Sequence, residues 1–284
     1  MAFVCDLELS EDEAACREQV ADARRIVIKV GTSSLTHQNG QMNLRQLDLL
    51  SQVIADLMNR GFEVVLVTSA AIAVGMHRLR LKERPTELKD LQAVASIGQA
   101  DLMTLYRKFL NDYNHICGQI LLTRDDVDDE ITRNNLINTF EALLERHVLP
   151  IVNENDSVST TEVYHNGTFG DNDMLSAIVA ELIHADALFL LSDVDGLYKQ
   201  DPRTLDEALI EKSFISYVGK DEIDFVKNYS GGAGSSRGTG GMRSKIAAAE
   251  HSCQAGIPML ILHGKDPRTI SQVLEGERYG TIFD

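Results

Sequence analysis

The 284-residue sequence has no tryptophan, only five prolines and only four cysteines. Cys5, Cys16, Cys117 and Cys253 are scattered, with no Cys-x-x-Cys pair and no histidine at ligand spacing. That argues against a disulfide framework or a structural zinc site and points to a reduced, cytoplasmic protein. No apolar run approaches the ~20 residues of a membrane span. The acidic N-terminus, Met1 to Asp22, lacks the apolar core of a signal peptide. Basic clusters are missing as well: 27 Lys and Arg stand against 43 Asp and Glu, a formal net charge of −16. A nucleic-acid surface needs clustered cations, so the composition speaks against that class. It also requires any site for an anionic ligand to build local positive potential against the overall field. The HExxH and HRD…DFG signatures are absent too, which removes the commonest zinc-hydrolase and protein-kinase readings.

What is present is a 44% hydrophobic chain able to bury a large core. Runs rich in β-branched residues (Arg25–Val30, Glu63–Thr68, Ile116–Leu122, Val148–Val152, Ala187–Ser192 and Pro258–Leu262) read as buried strands. Between them, Leu44–Asn59, Thr86–Asp112, Thr132–His147, Asn172–His184 and Met242–Ala255 carry the i, i+3/i+4 spacing of helices. Gly61 and Gly256 stand as helix stops. The alternation predicts an α/β fold with a mainly parallel central sheet and helices on both faces. No break in composition divides the chain. The expectation is an N-terminal extension, residues 1–22, followed by one domain over 23–284, with a substrate-facing N-terminal lobe and a nucleotide-facing C-terminal lobe.

Ligands of open α/β sheets bind at the carboxyl ends of the strands, and four such ends carry short runs of small and polar residues. Val30-Gly31-Thr32-Ser33-Ser34 closes the first strand beside Lys29; it is either a phosphate-binding turn or an ordinary strand exit with an incidental lysine. Thr68-Ser69-Ala70-Ala71 leads into a helix whose N-terminus would attract carboxylate or phosphate, or would simply pack closely on the sheet. Asn153-Glu154-Asn155-Asp156 and Gly170-Asp171-Asn172-Asp173 bracket a polar loop, as helix caps or as groups recognising an amino acid. Ser192-Asp193-Val194-Asp195-Gly196 pairs with Arg237-Gly238-Thr239-Gly240-Gly241-Met242-Arg243-Ser244-Lys245. The second of these is a Gly-rich entry into a helix with Lys245 on its first turn, and it matches neither the Walker A nor the dinucleotide spacing.

Together, IKVGTSSL, VTSAAIAVG, SIGQADLM, QILLTRDD, NENDSV, GDND, LLSDVDGLY and GTGGMRSK, in that order from Ile28 to Lys245, resemble the glutamate 5-kinases (γ-glutamyl kinases) of the amino-acid kinase family. The resemblance implies a three-layer αβα sandwich using ATP and Mg²⁺ to phosphorylate the γ-carboxylate of L-glutamate, the first step of proline biosynthesis. It implies that Lys29 and Lys245 stabilise the transferring phosphoryl group and that Asp173 holds both lysines. Ser69, Asp156 and Asn172, with Asn153 nearby, would hold glutamate. Lys29, Ser192, Asp193, Thr239, Gly240, Gly241, Met242 and Lys245 would contact ATP. The metal ligands are not given by the motifs, although Asp193 and Asp195 are acidic groups in reach of that end. By the same resemblance, proline is expected as a feedback inhibitor, the chain as a homo-oligomer, and the product as passing to the next proline-pathway enzyme. The form expected is the one without a C-terminal PUA module. Two other readings stay open on residues alone: a sister kinase acting on a different small acid, and a silent amino-acid sensor. The pattern departs from the family at Ala70, where the family has glycine. If that position needs a positive φ or close substrate contact, the methyl group strains the turn or crowds the substrate.

Overall fold

The computed structural model describes residues 9–37, 39–159, 172–200, 210, 212–227 and 241–284. Its strands are β1 (Arg25–Val30), β2 (Glu63–Val67), β3 (Ile116–Leu122), β4 (Val148–Glu154), β5 (Ala187–Ser192), β6 (Leu197–Tyr198), β7 (Phe214–Ile215), β8 (Tyr217–Val218), β9 (Met259–His263) and β10 (Thr281–Phe283). Eight of them form one sheet in the order β3-β4-β2-β1-β5-β9-β10-β8, and β6 and β7 form a small antiparallel ribbon. Neighbours in the large sheet are parallel except β10, which runs antiparallel to β9. The chain leaves β1 toward β2, β4 and β3 on one side and toward β5 and β9 on the other. The switch point of the winding therefore lies at β1 and β5, where such sheets open a crevice at their carboxyl edge.

Period-2 alternation decides what each face of β1 meets. Ile26, Ile28 and Val30 enter a core shared with helices Leu44–Asn59 and Leu88–Asp112. Val27 points the other way, into a core shared with helices Glu130–Leu144, Asn172–Leu182 and Met242–Gln254. Lys29 has the parity of Val27, so the pleat alone delivers its side chain to the second face. A slip of one residue in the β1–β2 register (Ile28 opposite Leu66, Lys29 opposite Val67) would send it to the wrong layer.

Helix Leu44–Asn59 shows why the flanking layers form. Asn43 caps it, its side chain accepting from Gln46 N at 3.2 Å, and Leu47, Leu50, Ile54 and Leu57 line its buried face. The chain turns after Arg60 through Gly61 at φ +89°, a conformation glycine enters without a Cβ penalty. Strand and helix boundaries agree with the sequence expectation to within three residues. Helix Thr132–His147 is displaced most, to Glu130–Leu144, because Asp129 supplies the cap by accepting from Thr132 N at 2.8 Å.

Several features lie outside the sequence expectation. Within residues 1–22, expected as an extension, Glu11–Ala21 is a helix whose Cys16 and Val20 join the first core. Its Arg17 donates to the carbonyl oxygens of Tyr279 and Ser216. The β8 and β10 strands close the far edge of the sheet, each too short for a periodic signal. Short helices Thr32–Leu35 and Arg124–Asp128 follow β1 and β3. Among the described residues no helix is long and apolar enough to cross a membrane, and Cys16, Cys117 and Cys253 are unpaired.

Candidate active site

Lys29 reaches from the penultimate position of β1 into the layer where helices Asn172–Leu182 and Met242–Gln254 begin side by side. The first turn of one presents Asp173 and that of the other presents Ser244 and Lys245. One oxygen of Asp173, Oδ1, accepts from Lys29 Nζ. The other, Oδ2, accepts from Lys245 Nζ at 3.0 Å and from Ser244 Oγ at 3.0 Å. All three charged groups are buried, Asp173 completely. Burial alone pushes a carboxyl group's pKa up; here the two lysines more than offset it and hold Asp173 well below the usual carboxylate range. The cluster carries two positive charges against one negative, and the positive ends of two helices add to the excess. Within a chain of net charge −16, the cluster is a local excess of positive charge.

A second network begins beside it. Asn172, the residue before Asp173, directs Nδ2 toward the carbonyl of Thr68 at 2.9 Å, Ser69 Oγ at 2.8 Å and Asn153 Oδ1 at 3.1 Å. The ends of β2 and β4 and the start of helix Asn172–Leu182 are thereby joined through three of the four residues expected to hold substrate. The fourth, Asp156, is partly exposed in the turn that follows β4. Thr68 is held from behind by a 2.7 Å hydrogen bond to the OH of Tyr106, a phenol that burial keeps protonated far above its ordinary range.

Ala70 occupies the turn between β2 and helix Ala71–Arg78, at φ 84° and ψ 4°. This is the left-handed region that favours glycine. Of the two consequences foreseen for its methyl group, the backbone one is present. Crowding of the substrate is not what the packing indicates, because Ala70 is 7% exposed and belongs to the apolar core with Val74 and Leu66.

Where the resemblance puts ATP, Ser192 ends β5 between β1 and β9, and its Oγ donates to Asp193 Oδ1 at 3.2 Å. Asp193 itself is exposed. Gly241 precedes helix Met242–Gln254 in an extended conformation, while Thr239 and Gly240 lie outside the described residues. Gly264, not singled out in the sequence, donates its N–H to Ser192 O at 2.6 Å. A Cβ there would lie 2.3 Å from Ser34 Oγ, so glycine lets the ends of β5 and β9 sit close to helix Thr32–Leu35 without turning the serine side chain away. Ser244 was also missed, although it adjoins Lys245 in the Gly-rich motif. Among the described residues no group of three or more His, Cys, Asp or Glu could hold a metal ion. A divalent ion carried mainly on phosphate and water oxygens needs no such group.

The sequence profile described as the Amino acid kinase family matches residues 24–263. Glutamate 5-kinase of Clostridium perfringens is 46% identical, over 94% of this chain and 97% of that protein. The Listeria welshimeri glutamate 5-kinase is 48% identical, covering 94% and 95%, and the Enterococcus faecalis one 45%, covering 94% and 97%. Among solved structures, carbamate kinase from Giardia lamblia bound to AMP-PNP superposes with TM-score 0.64 at 15% identity, covering 93% of this chain and 99% of the other. UMP kinase from Bacillus anthracis gives 0.61 at 15% identity, covering 92% and 96%. These two share the fold. With its sheet order, its buried lysine–aspartate–lysine cluster and its full-length relatives, the chain belongs to the amino acid kinase family, among the glutamate 5-kinases.

Proposed function

We propose that the protein transfers the γ-phosphoryl group of ATP to the γ-carboxylate of L-glutamate, releasing ADP and γ-glutamyl phosphate, the first step of proline biosynthesis. The observation that carries the reading is the single buried carboxylate of Asp173 shared by Lys29 and Lys245 at the switch point of the sheet. The nucleophile is a carboxylate of pKa about 4.3, ionised at neutral pH, so no base is needed to remove a proton. A γ-carboxylate oxygen attacks the γ-phosphorus while its bond to the β–γ bridging oxygen breaks, and ADP takes that electron pair. The difficulty is bringing two anions together and spreading charge over the transferring group. Preorganised cations answer both. Lys29 and Lys245 fit that task, and Asp173 fixes their ammonium groups before substrate arrives.

On this reading Ser69, Asn153, Asp156 and Asn172 hold glutamate, while Ser192, Asp193, Thr239, Gly240, Gly241 and Met242 border ATP. Asp193 and Asp195 are the acidic groups of that end, beside which a Mg²⁺ carried on the nucleotide phosphates would sit and neutralise phosphate charge. Proline as a feedback inhibitor, a homo-oligomeric state, a cytoplasmic location and delivery of the labile acyl phosphate to the next enzyme belong to the same proposal. The test is ATP turnover with Mg²⁺ across a panel of small acids, trapping acyl phosphate with hydroxylamine. Glutamate-dependent hydroxamate is expected, and hydroxamate formed only with another acid would overturn the substrate assignment. Lys245→Ala should lower turnover by about 10²–10³-fold, as loss of a preorganised charge-stabilising donor does, while glutamate binding is retained. Equal loss of both would remove Lys245 from phosphoryl stabilisation.

A further inference from the structure

Gln99, in the middle of helix Leu88–Asp112, accepts a hydrogen bond from Asn153 Nδ2 at 2.8 Å through its Oε1. Its Nε2 is buried and has no partner among the described residues. This orientation follows from the network. The main-chain N–H of Glu154 can only donate, and it donates to Asn153 Oδ1 at 2.9 Å. Asn172 Nδ2 approaches the same oxygen. Asn153 must therefore turn its NH₂ toward Gln99, and Gln99 must answer with oxygen; reversing Gln99 would set two NH₂ groups face to face. The Gln99 NH₂ is left directed away from Asn153, on a side chain only 9% exposed.

The backbone beneath it is anchored to the substrate turn. A Cβ on the preceding Gly98 would lie 1.8 Å from the carbonyl oxygen of Ala71. The helix therefore packs directly against helix Ala71–Arg78, whose first residue follows Ser69 and Ala70. Buried donors are nearly always satisfied, and one held in place without a partner beside a polar site calls for an acceptor from a ligand.

Asp173 and its lysines mark the phosphoryl end. Asn172, Asn153 and Gln99 form a hydrogen-bonded series, with Asn172, the chain neighbour of Asp173, at one end and Gln99 at the other. We propose that Gln99 Nε2 donates to the α-carboxylate of the bound amino acid, selecting an acceptor with a second acid group and fixing which of its two carboxylates meets the phosphoryl group. The proposal rests on the reading that glutamate is the acceptor.

Gln99→Glu keeps an oxygen for Asn153 and replaces the donor by an anion; Gln99→Met removes the donor with little change in size. Hydroxamate formation is measured for both against wild type with glutamate and ATP varied separately, alongside melting temperatures. The KM for glutamate should rise about 10–100-fold, as expected for a lost hydrogen bond to a charged group. The KM for ATP and kcat should stay within about two-fold, the pattern of lost ground-state binding. If wild type makes no hydroxamate with glutamate, the substrate reading fails and this proposal with it. If wild type is active and either folded variant keeps its glutamate KM within about two-fold, or loses glutamate and ATP affinity equally, the role of Gln99 alone is overturned.

Discussion

Replacing Ala70 by glycine separates two explanations of a residue that stands where the family has none with a side chain. Three contributions to stability compete. Alanine held at φ 84° gives up about 1–2 kcal/mol relative to the right-handed region, and glycine regains it. Against that, the methyl group is almost wholly buried in the first core, and losing it costs about 0.8 kcal/mol. The freer unfolded chain of glycine costs a further 0.4–1 kcal/mol or so. The balance lies within about 1 kcal/mol of zero, which for a domain of this size moves the melting temperature by no more than about 4 °C. The effect on catalysis is expected to be equally small, because the methyl faces the core and the turn already has the shape glycine would take. Thermal denaturation and the glutamate dependence of hydroxamate formation, measured on Ala70→Gly and wild type together, check both. A rise of ~10-fold or more in kcat/KM for glutamate, about 1.4 kcal/mol of transition-state stabilisation, would refute the reasoning and place the methyl against the substrate.

Asp173→Asn leaves two buried ammonium groups without their shared anion; turnover should collapse, and the variant's pH response should change as well. The folded-state pKa of Asp173 lies below its unfolded value near 3.9. The stability it contributes is therefore complete above about pH 4–5 and is lost as pH falls toward the folded value. Chemical denaturation between pH 6 and pH 2 should show wild type losing more stability than Asp173→Asn across the acid end, and parallel curves would contradict the assignment. Gly98→Ala places a methyl 1.8 Å from the Ala71 carbonyl oxygen; it should destabilise by about 1–3 kcal/mol and weaken glutamate binding, read by denaturation and by KM.

Much of this architecture is legible in the chain itself. The β1 and β5 runs are dense in β-branched and aliphatic residues and buried along most of their length, and their ends fall where expected, as do those of β3, which is buried only toward its carboxyl end. Lys29, Asp173 and Lys245 stand in motifs whose order is distinctive, so their meeting was foreseeable even though 144 residues separate the first two. The rest depends on long-range geometry that carries no local signal. Helix Glu11–Ala21 is mostly polar, and only its docking against the carbonyls of Ser216 and Tyr279 reveals which side is buried. Strands β8 and β10 are two and three residues long. The importance of Gln99 arises from hydrogen-bond directions passed on from the backbone of Glu154, and no spacing encodes those.

The separation of the three charged residues along the chain has a consequence for biosynthesis. Ribosomes extend a chain by roughly 5–20 residues per second, so Lys29 emerges some 10–40 s before Lys245. Until Asp173 appears, the side of the central strand that bears Lys29 has neither its counter-ion nor the two helices that later cover it. That lysine must stay hydrated, because an unpaired ammonium is costly to bury. The second layer is therefore completed last, and the nascent chain acquires its lysine–aspartate–lysine cluster only when helix Met242–Gln254 docks.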